Sequence, residues 1–141
     1  MRDERDPVTP ETLAALHADA FDGPARWSPE AFGRALSDPA CFFVPEGGAL
    51  RGFGLGRVVA DEAELLTLVV ALPGRRHGLG RRLVAAFEAE ARARGATEAF
   101  LEVSVANVAA RRLYEGAGWR MVGRRVGYYE GVDALTFRKP L

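Results

Sequence analysis

The run Arg75-Arg76-His77-Gly78-Leu79-Gly80-Arg81 crowds arginines and two glycines between an apolar stretch, Leu66-Thr67-Leu68-Val69-Val70, and a helix-like segment. Glycines after a strand let the backbone come close to a ligand, and the start of the following helix presents N–H groups with no partner. Those donors, the helix dipole and the cluster Arg75, Arg76, Arg81 and Arg82 together make a site for an anion such as a pyrophosphate. A nucleotide P-loop is excluded because no Gly-Lys-Ser/Thr follows. A dinucleotide fingerprint is excluded because only one Gly-x-Gly is present and no β-α-β precedes it. The plainer alternative is a loop-to-helix turn with surface arginines. Cys41, the one cysteine, sits in the apolar run Cys41-Phe42-Phe43-Val44 and reads as a buried small hydrophobe rather than a nucleophile. It allows no internal disulfide and no metal-site spacing.

The elements that must position such a loop follow from pattern. Thr9-Pro10-Glu11-Thr12 opens a helix with a cap and a first-position proline, with Leu13, Leu16 and Ala20 at helical spacing, and Asp22-Gly23-Pro24 ends it. Ser28-Pro29-Glu30-Ala31 repeats the start signal for a second helix carrying Phe32 and Leu36. Cys41 to Val44, Leu50 to Ala60 and Glu64 to Ala71 read as three antiparallel strands, with turns at Glu46-Gly47-Gly48 and Asp61-Glu62. Gly78-Leu79-Gly80 then precedes a helical stretch ending near Arg94-Gly95, with Leu79, Leu83, Ala86, Phe87 and Glu90 tracking one face. Phe100 to Val105 is a strand, Asn107 to Gly116 a helix, and Trp119 to Tyr128 and Asp133 to Lys139 are strands. Helices, a meander and then β-α-β-α-β-β imply a mixed central sheet in a single α/β or α+β domain over residues 1–141.

Bulk properties narrow the function classes. The chain has 141 residues, enough for one core. Its 19 basic and 19 acidic residues cancel, which argues against non-specific binding to nucleic acid or membrane. The charged start, Met1 to Asp6, is followed by no apolar segment, and no stretch approaches the roughly 20 apolar residues of a membrane helix. A soluble cytoplasmic protein is the expectation.

Arg75 to Gly80 resembles the Arg/Gln-x-x-Gly-x-Gly/Ala loop of the GNAT acetyltransferases, which holds the pyrophosphate of acetyl-CoA. The segment Leu101-Glu102-Val103-Ser104-Val105-Ala106-Asn107, continuing through Ala109, Ala110, Leu113-Tyr114-Glu115 to Gly118-Trp119, is similar to a second block of that superfamily. The resemblance implies a mixed sheet splayed open at the acetyl-CoA site. It places the pyrophosphate on Arg75, Arg76, His77, Gly78, Leu79, Gly80 and Arg81, and the pantetheine arm along the backbone of Leu68, Val69 and Val70. Asn107 matches an asparagine that contacts the cofactor from a helix start, a position where asparagine also serves simply as a cap. Tyr114 matches a tyrosine that donates a proton to the departing thiolate, with a core role as the alternative. Glu102 matches a glutamate used as general base in protein N-terminal acetyltransferases. Glu64, on the neighbouring strand, is the second candidate, and a plain surface role is the alternative for Glu102. Some base is required, because an α-amino group with a pKa of about 8 is largely protonated at neutral pH. Direct transfer needs no nucleophile on the enzyme.

Within the superfamily the chain resembles the bacterial ribosomal-protein-alanine N-acetyltransferases (RimI-type). The residues carrying this are Trp27-Ser28-Pro29-Glu30-Ala31-Phe32, Glu64-Leu65-Leu66, and Tyr128-Tyr129 with Asp133-Ala134. The resemblance implies an acceptor groove between the early helices and the late hairpin. Tyr128 and Tyr129 suit it, and Trp27 would line it or fill a core or lid position. The implied acceptor is a peptide or protein N-terminus, possibly that of a ribosomal protein. A small-molecule N-acetyltransferase and a non-catalytic acyl-CoA-binding module are the alternatives. Arg5 to Val8 leaves room for only a stub of a first strand, and Leu72-Pro73-Gly74 lacks the acidic residue usual after the cofactor strand.

Overall fold

In a computed structural model, residues 9–20, 27–46, 51–70, 78–129 and 131–141 are described, and they form four helices and six strands. Their order is α1 (Pro10–Ala20), α2 (Pro29–Ser37), β1 (Cys41–Glu46), β2 (Gly52–Val59), β3 (Glu62–Val70), α3 (Leu79–Ala93), β4 (Glu98–Ser104), α4 (Val108–Gly116), β5 (Arg120–Tyr129) and β6 (Val132–Pro140). The expected stub at Arg5 to Val8 lies outside the described residues. One sheet runs in the order β1-β2-β3-β4-β6-β5, and among the described residues its only parallel pair is β3 with β4. The mixed α/β sheet expected from the sequence is therefore present.

Two apolar clusters sandwich this sheet. On one face α3 and α4 pack on Phe42, Val44, Leu65, Leu101, Val103 and Phe137. On the other, α1 and α2 cover Phe53, Leu55 and Val69 with Leu13 and Phe32. Gly56 is where the first layer closes tightest: a Cβ there would sit 2.6 Å from both the Phe42 and Phe87 rings, which stack at 5.7 Å. The face of α3 differs from expectation. Glu88 and Ala91 are buried with Leu79, Leu83, Val84 and Phe87, whereas Glu90 turns outward to Arg94 at 2.9 Å. Glu88 is tolerated inside because Trp119 Nε1 donates to it at 3.1 Å and Lys139 Nζ at 2.8 Å.

One irregularity positions the functional site. Opposite Leu55 and Gly56, β3 carries an extra residue: Leu55 pairs with Thr67 and Gly56 with Leu65, so Leu66 is skipped. This bulge puts Leu66 and Thr67 on the same side, toward α1 and α2. Bulges bend a strand and raise its twist. The parallel pairing of β3 with β4 stops at that point, at Leu65↔Leu101. Beyond it β3 continues to Val70 and β4 to Ser104, unpaired with each other. A splayed gap opens between them.

Candidate active site

A cleft of about 1020 Å³ occupies the splay. Its walls come from β3 at Leu65–Leu68, β4 at Leu101–Ser104, the start of α4, and α1 and α2. It contains Leu68, Glu64, Glu102, Asn107, Tyr114, Trp27 and Tyr128 together, residues spread over most of the chain. Val69 is buried under α1 and α2, while Leu68 and Val70 lean toward the α3 side. A smaller cavity of about 390 Å³ adjoins on the bare part of the α1/α2 face, sharing Arg57, Glu64, Leu101 and Glu102.

The start of α3 has the form of an anion site. Gly78 caps the helix at φ 76, a left-handed conformation that glycine enters without steric cost, and no side chain caps the helix. Arg82 N–H closes the first turn on the Gly78 carbonyl at 3.1 Å, so the N–H groups of Leu79, Gly80 and Arg81 have no acceptor within the helix. No acidic residue lies in the first turn to compete with an anion. A Cβ on Gly78 would lie 3.5 Å from Arg82 Nη1, which brings that guanidinium beside the helix start. Arg82 belonged to the charge cluster in the sequence but not to the expected contact set. Gly80 backs onto α4, where a Cβ would meet Leu113 at 3.2 Å. Arg75, Arg76 and His77 lie outside the described residues.

Asn107 is the N-cap of α4, its Oδ1 accepting from Ala110 N–H at 3.1 Å. That oxygen is committed to the helix, and Asn107 lines the cleft. Tyr114 is buried against Trp119 and Phe137, with ring centroids at 6.1 and 6.4 Å, and burial pushes its hydroxyl pKa upward. A phenol is already neutral at pH 7, and burial holds this one further from ionising.

Both candidate carboxylates stand on the face turned away from α3. Glu64 accepts a hydrogen bond from Arg57 Nη2 at 2.6 Å. Glu102 forms an ion pair with Arg125 Nε at 2.7 Å and accepts a long hydrogen bond from Thr136 Oγ1 at 3.4 Å. The Glu102 side chain is 21% exposed against 44% for Glu64, so Glu102 is the better shielded from bulk water.

The structure adds a residue that sequence reasoning passed over. His17, on α1, is 1% exposed and lines the cleft. Its Nδ1 accepts from Trp27 N–H at 3.3 Å, so the neutral ring carries its proton on Nε2, which meets Thr67 Oγ1 at 3.0 Å. Burial lowers its pKa to about 4. A polar residue at the apolar spacing of α1 was the available signal. Trp27 is half-buried, packs on Phe32 at 5.0 Å against the α1/α2 cluster, and also lines the cleft. Tyr128 is half exposed beneath Arg125, 5.1 Å from the ring centre, and the side chain of Tyr129 lies outside the described residues. Cys41 is only partly buried, at the cleft edge. Burial and the neighbouring Asp38 raise its pKa, which disfavours a nucleophilic thiolate. Among the described residues no group of His, Cys, Asp and Glu could hold a metal ion.

Residues 10–119 match the acetyltransferase (GNAT) family. The chain belongs to that family. Its members transfer the acetyl group of acetyl-CoA, and the splayed strands and uncapped α3 start fit that co-substrate. The chain is 38% identical over 137 residues to the N-alpha-acetyltransferase RimI of Mycobacterium tuberculosis, covering 92% of this chain and 85% of that one. It is 32% identical over 126 residues to the ribosomal protein bS18-alanine N-acetyltransferase of Escherichia coli K12, covering 89% and 85%. The crystal structure of the ribosomal-protein-S18-alanine N-acetyltransferase from Escherichia coli superimposes with a TM-score of 0.79 at 30% identity, over 95% of this chain and 90% of that one. This GNAT chain is an acetyl-CoA-dependent N-acetyltransferase. No helix among its described residues is long and apolar enough to cross a membrane.

Proposed function

We propose that this enzyme acetylates the N-terminal α-amine of a protein, with a ribosomal protein beginning in alanine as the preferred acceptor, in the cytoplasm. The observation that carries this is the meeting of Glu102 and Tyr114 in the splay cleft, on a chain whose relatives are named for that reaction. Acetyl-CoA supplies an acetyl group activated as a thioester. Its pyrophosphate is assigned to the N–H groups of Leu79, Gly80 and Arg81 with Arg75, Arg76, His77, Gly78 and Arg82, and its pantetheine to the β3 edge at Leu68–Val70. Asn107 offers its amide to the same arm.

Glu102 accepts a proton from the acceptor ammonium, which frees the nitrogen lone pair to form the new C–N bond as the C–S bond breaks. Tyr114, a phenol already neutral at pH 7 and held further from ionising by burial, protonates the departing thiolate, and the second proton that the nitrogen sheds in becoming an amide restores the phenol. Trp27 from the start of α2 and Tyr128 from the β5–β6 hairpin wall the acceptor groove.

The test is acetyl-CoA turnover against peptides differing in their first residues, with small amines alongside. We expect α-amine acetylation of an Ala-starting ribosomal peptide, a loss of about 10²-fold or more in kcat for Glu102→Gln, and a loss of about tenfold or more for Tyr114→Phe with unchanged acetyl-CoA binding. Turnover confined to small amines would instead favour a second reading. That reading has one support: a 38% identical match to the mycothiol acetyltransferase of Thermobispora bispora, over 77% of this chain but only 42% of that protein.

A further inference from the structure

The reading of Glu102 as base leaves unexplained why an arginine two strands away is spent on it. The sheet runs β4-β6-β5, so β6 separates Glu102 from the strand that carries Arg125. Neighbouring strands lie about 4.8 Å apart, and the Arg125 side chain must therefore cover roughly twice that distance. It does so over small groups: Thr136 is the register partner of Glu102 on β6, and Gly123 is the partner of Thr136 on β5. The guanidinium also lies over the Tyr128 ring at 5.1 Å, which holds it along this path.

Both partners of the Glu102 carboxylate meet the same oxygen. Arg125 Nε is 2.7 Å from Oε2, and Thr136 Oγ1 donates to Oε2 at 3.4 Å. Among the described residues none bonds Oε1. Arginine stays charged across the working pH range, so this hold does not release by titration.

Resting on the assignment of Glu102 as base, we infer that Arg125 is a positioning residue that clamps Oε2 and leaves Oε1 as the atom that takes the acceptor's proton. A carboxylate tethered through one oxygen keeps the other in a fixed place, and orientation of the reacting group sets the rate. Arg125 touches neither substrate nor cofactor in this role.

A double-mutant cycle on the full chain tests this, read as kcat with the best peptide acceptor and as KM for acetyl-CoA. Arg125→Gln is expected to lower kcat about tenfold with KM for acetyl-CoA unchanged, and Arg125→Lys to recover part of the loss. In a Glu102→Gln background, Arg125→Gln is expected to cause no further loss, because the clamp has no base to hold. Equal losses in both backgrounds would overturn the inference, as would full kcat in Arg125→Gln alone. Undiminished turnover in Glu102→Gln by itself is a separate failure, visible before any Arg125 variant is compared. It would remove the base assignment, and this inference with it.

Discussion

His17 shows how one buried side chain sets the condition under which the cleft exists. It ties Trp27, at the entry to α2, to Thr67, at the bulge of β3, through its two ring nitrogens. Protonation would destroy the acceptor at Nδ1 and place a charge in an apolar pocket beside Phe32. Its pKa falls from 6.5 to about 4 on folding, so the unfolded chain takes up the proton first as pH drops. The stability tied to the neutral ring is whole above pH 6.5 and is lost between there and about 4, by roughly 3 kcal/mol in total. His17→Gln keeps polar atoms without titrating. Urea unfolding should show the variant losing about 2 kcal/mol less than the parent between pH 7 and pH 5. Parallel losses in the two proteins would mean that other groups dominate the acid limb.

Among elements, α3 is shared between folding and ligand binding. Its N-terminus offers the uncapped N–H groups, while its C-terminal half buries Glu88 under Trp119 and Lys139. Lys139 Nζ also donates to the Ala117 carbonyl at 2.7 Å, so one ammonium joins α3, the end of α4 and β6. Removing it leaves a buried carboxylate with Trp119 and the more distant Arg92, at 3.7 Å, for partners. Lys139→Met is therefore expected to cost about 2–3 kcal/mol in chemical denaturation, somewhat less than a fully orphaned charge. Acetyl-CoA affinity in the folded fraction should not change, since the network lies at the far end of the helix from Gly78. A variant with native stability would show that Trp119 and Arg92 together compensate Glu88.

At the level of the whole molecule the splay is a cost that the co-substrate offsets. The parallel ladder ends at Leu65↔Leu101, and the β3 and β4 segments beyond it give up mutual hydrogen bonds in the free enzyme. A ligand that fills the gap and binds only the folded state stabilises by mass action, by about 2.7 kcal/mol at a hundredfold excess over its Kd. Calorimetry should show the melting temperature rising with acetyl-CoA concentration, and with CoA as well, because the assigned contacts are to the pantetheine and pyrophosphate. A rise confined to acetyl-CoA would relocate the main contacts to the acetyl end.

The order of helices and strands and the meander were legible in the sequence, because local pattern and turn residues decide them. So were Glu102 and Tyr114 as candidates, through resemblance. The bulge at Leu66 was not legible: strict alternation predicts one phase along β3, and the extra residue reflects pairing with β2, which lies outside local pattern. The buried Glu88 was missed because its partners, Trp119 and Lys139, arrive from elements far along the chain. The pairing of Arg125 with Glu102 required β6 to come between β4 and β5, a fact of sheet order rather than of spacing. Side-chain chemistry and helix or strand period are properties of neighbouring residues and were set by the sequence itself. Which carboxylate meets which cation depends on strands brought together over long separations, and only the tertiary structure decided it.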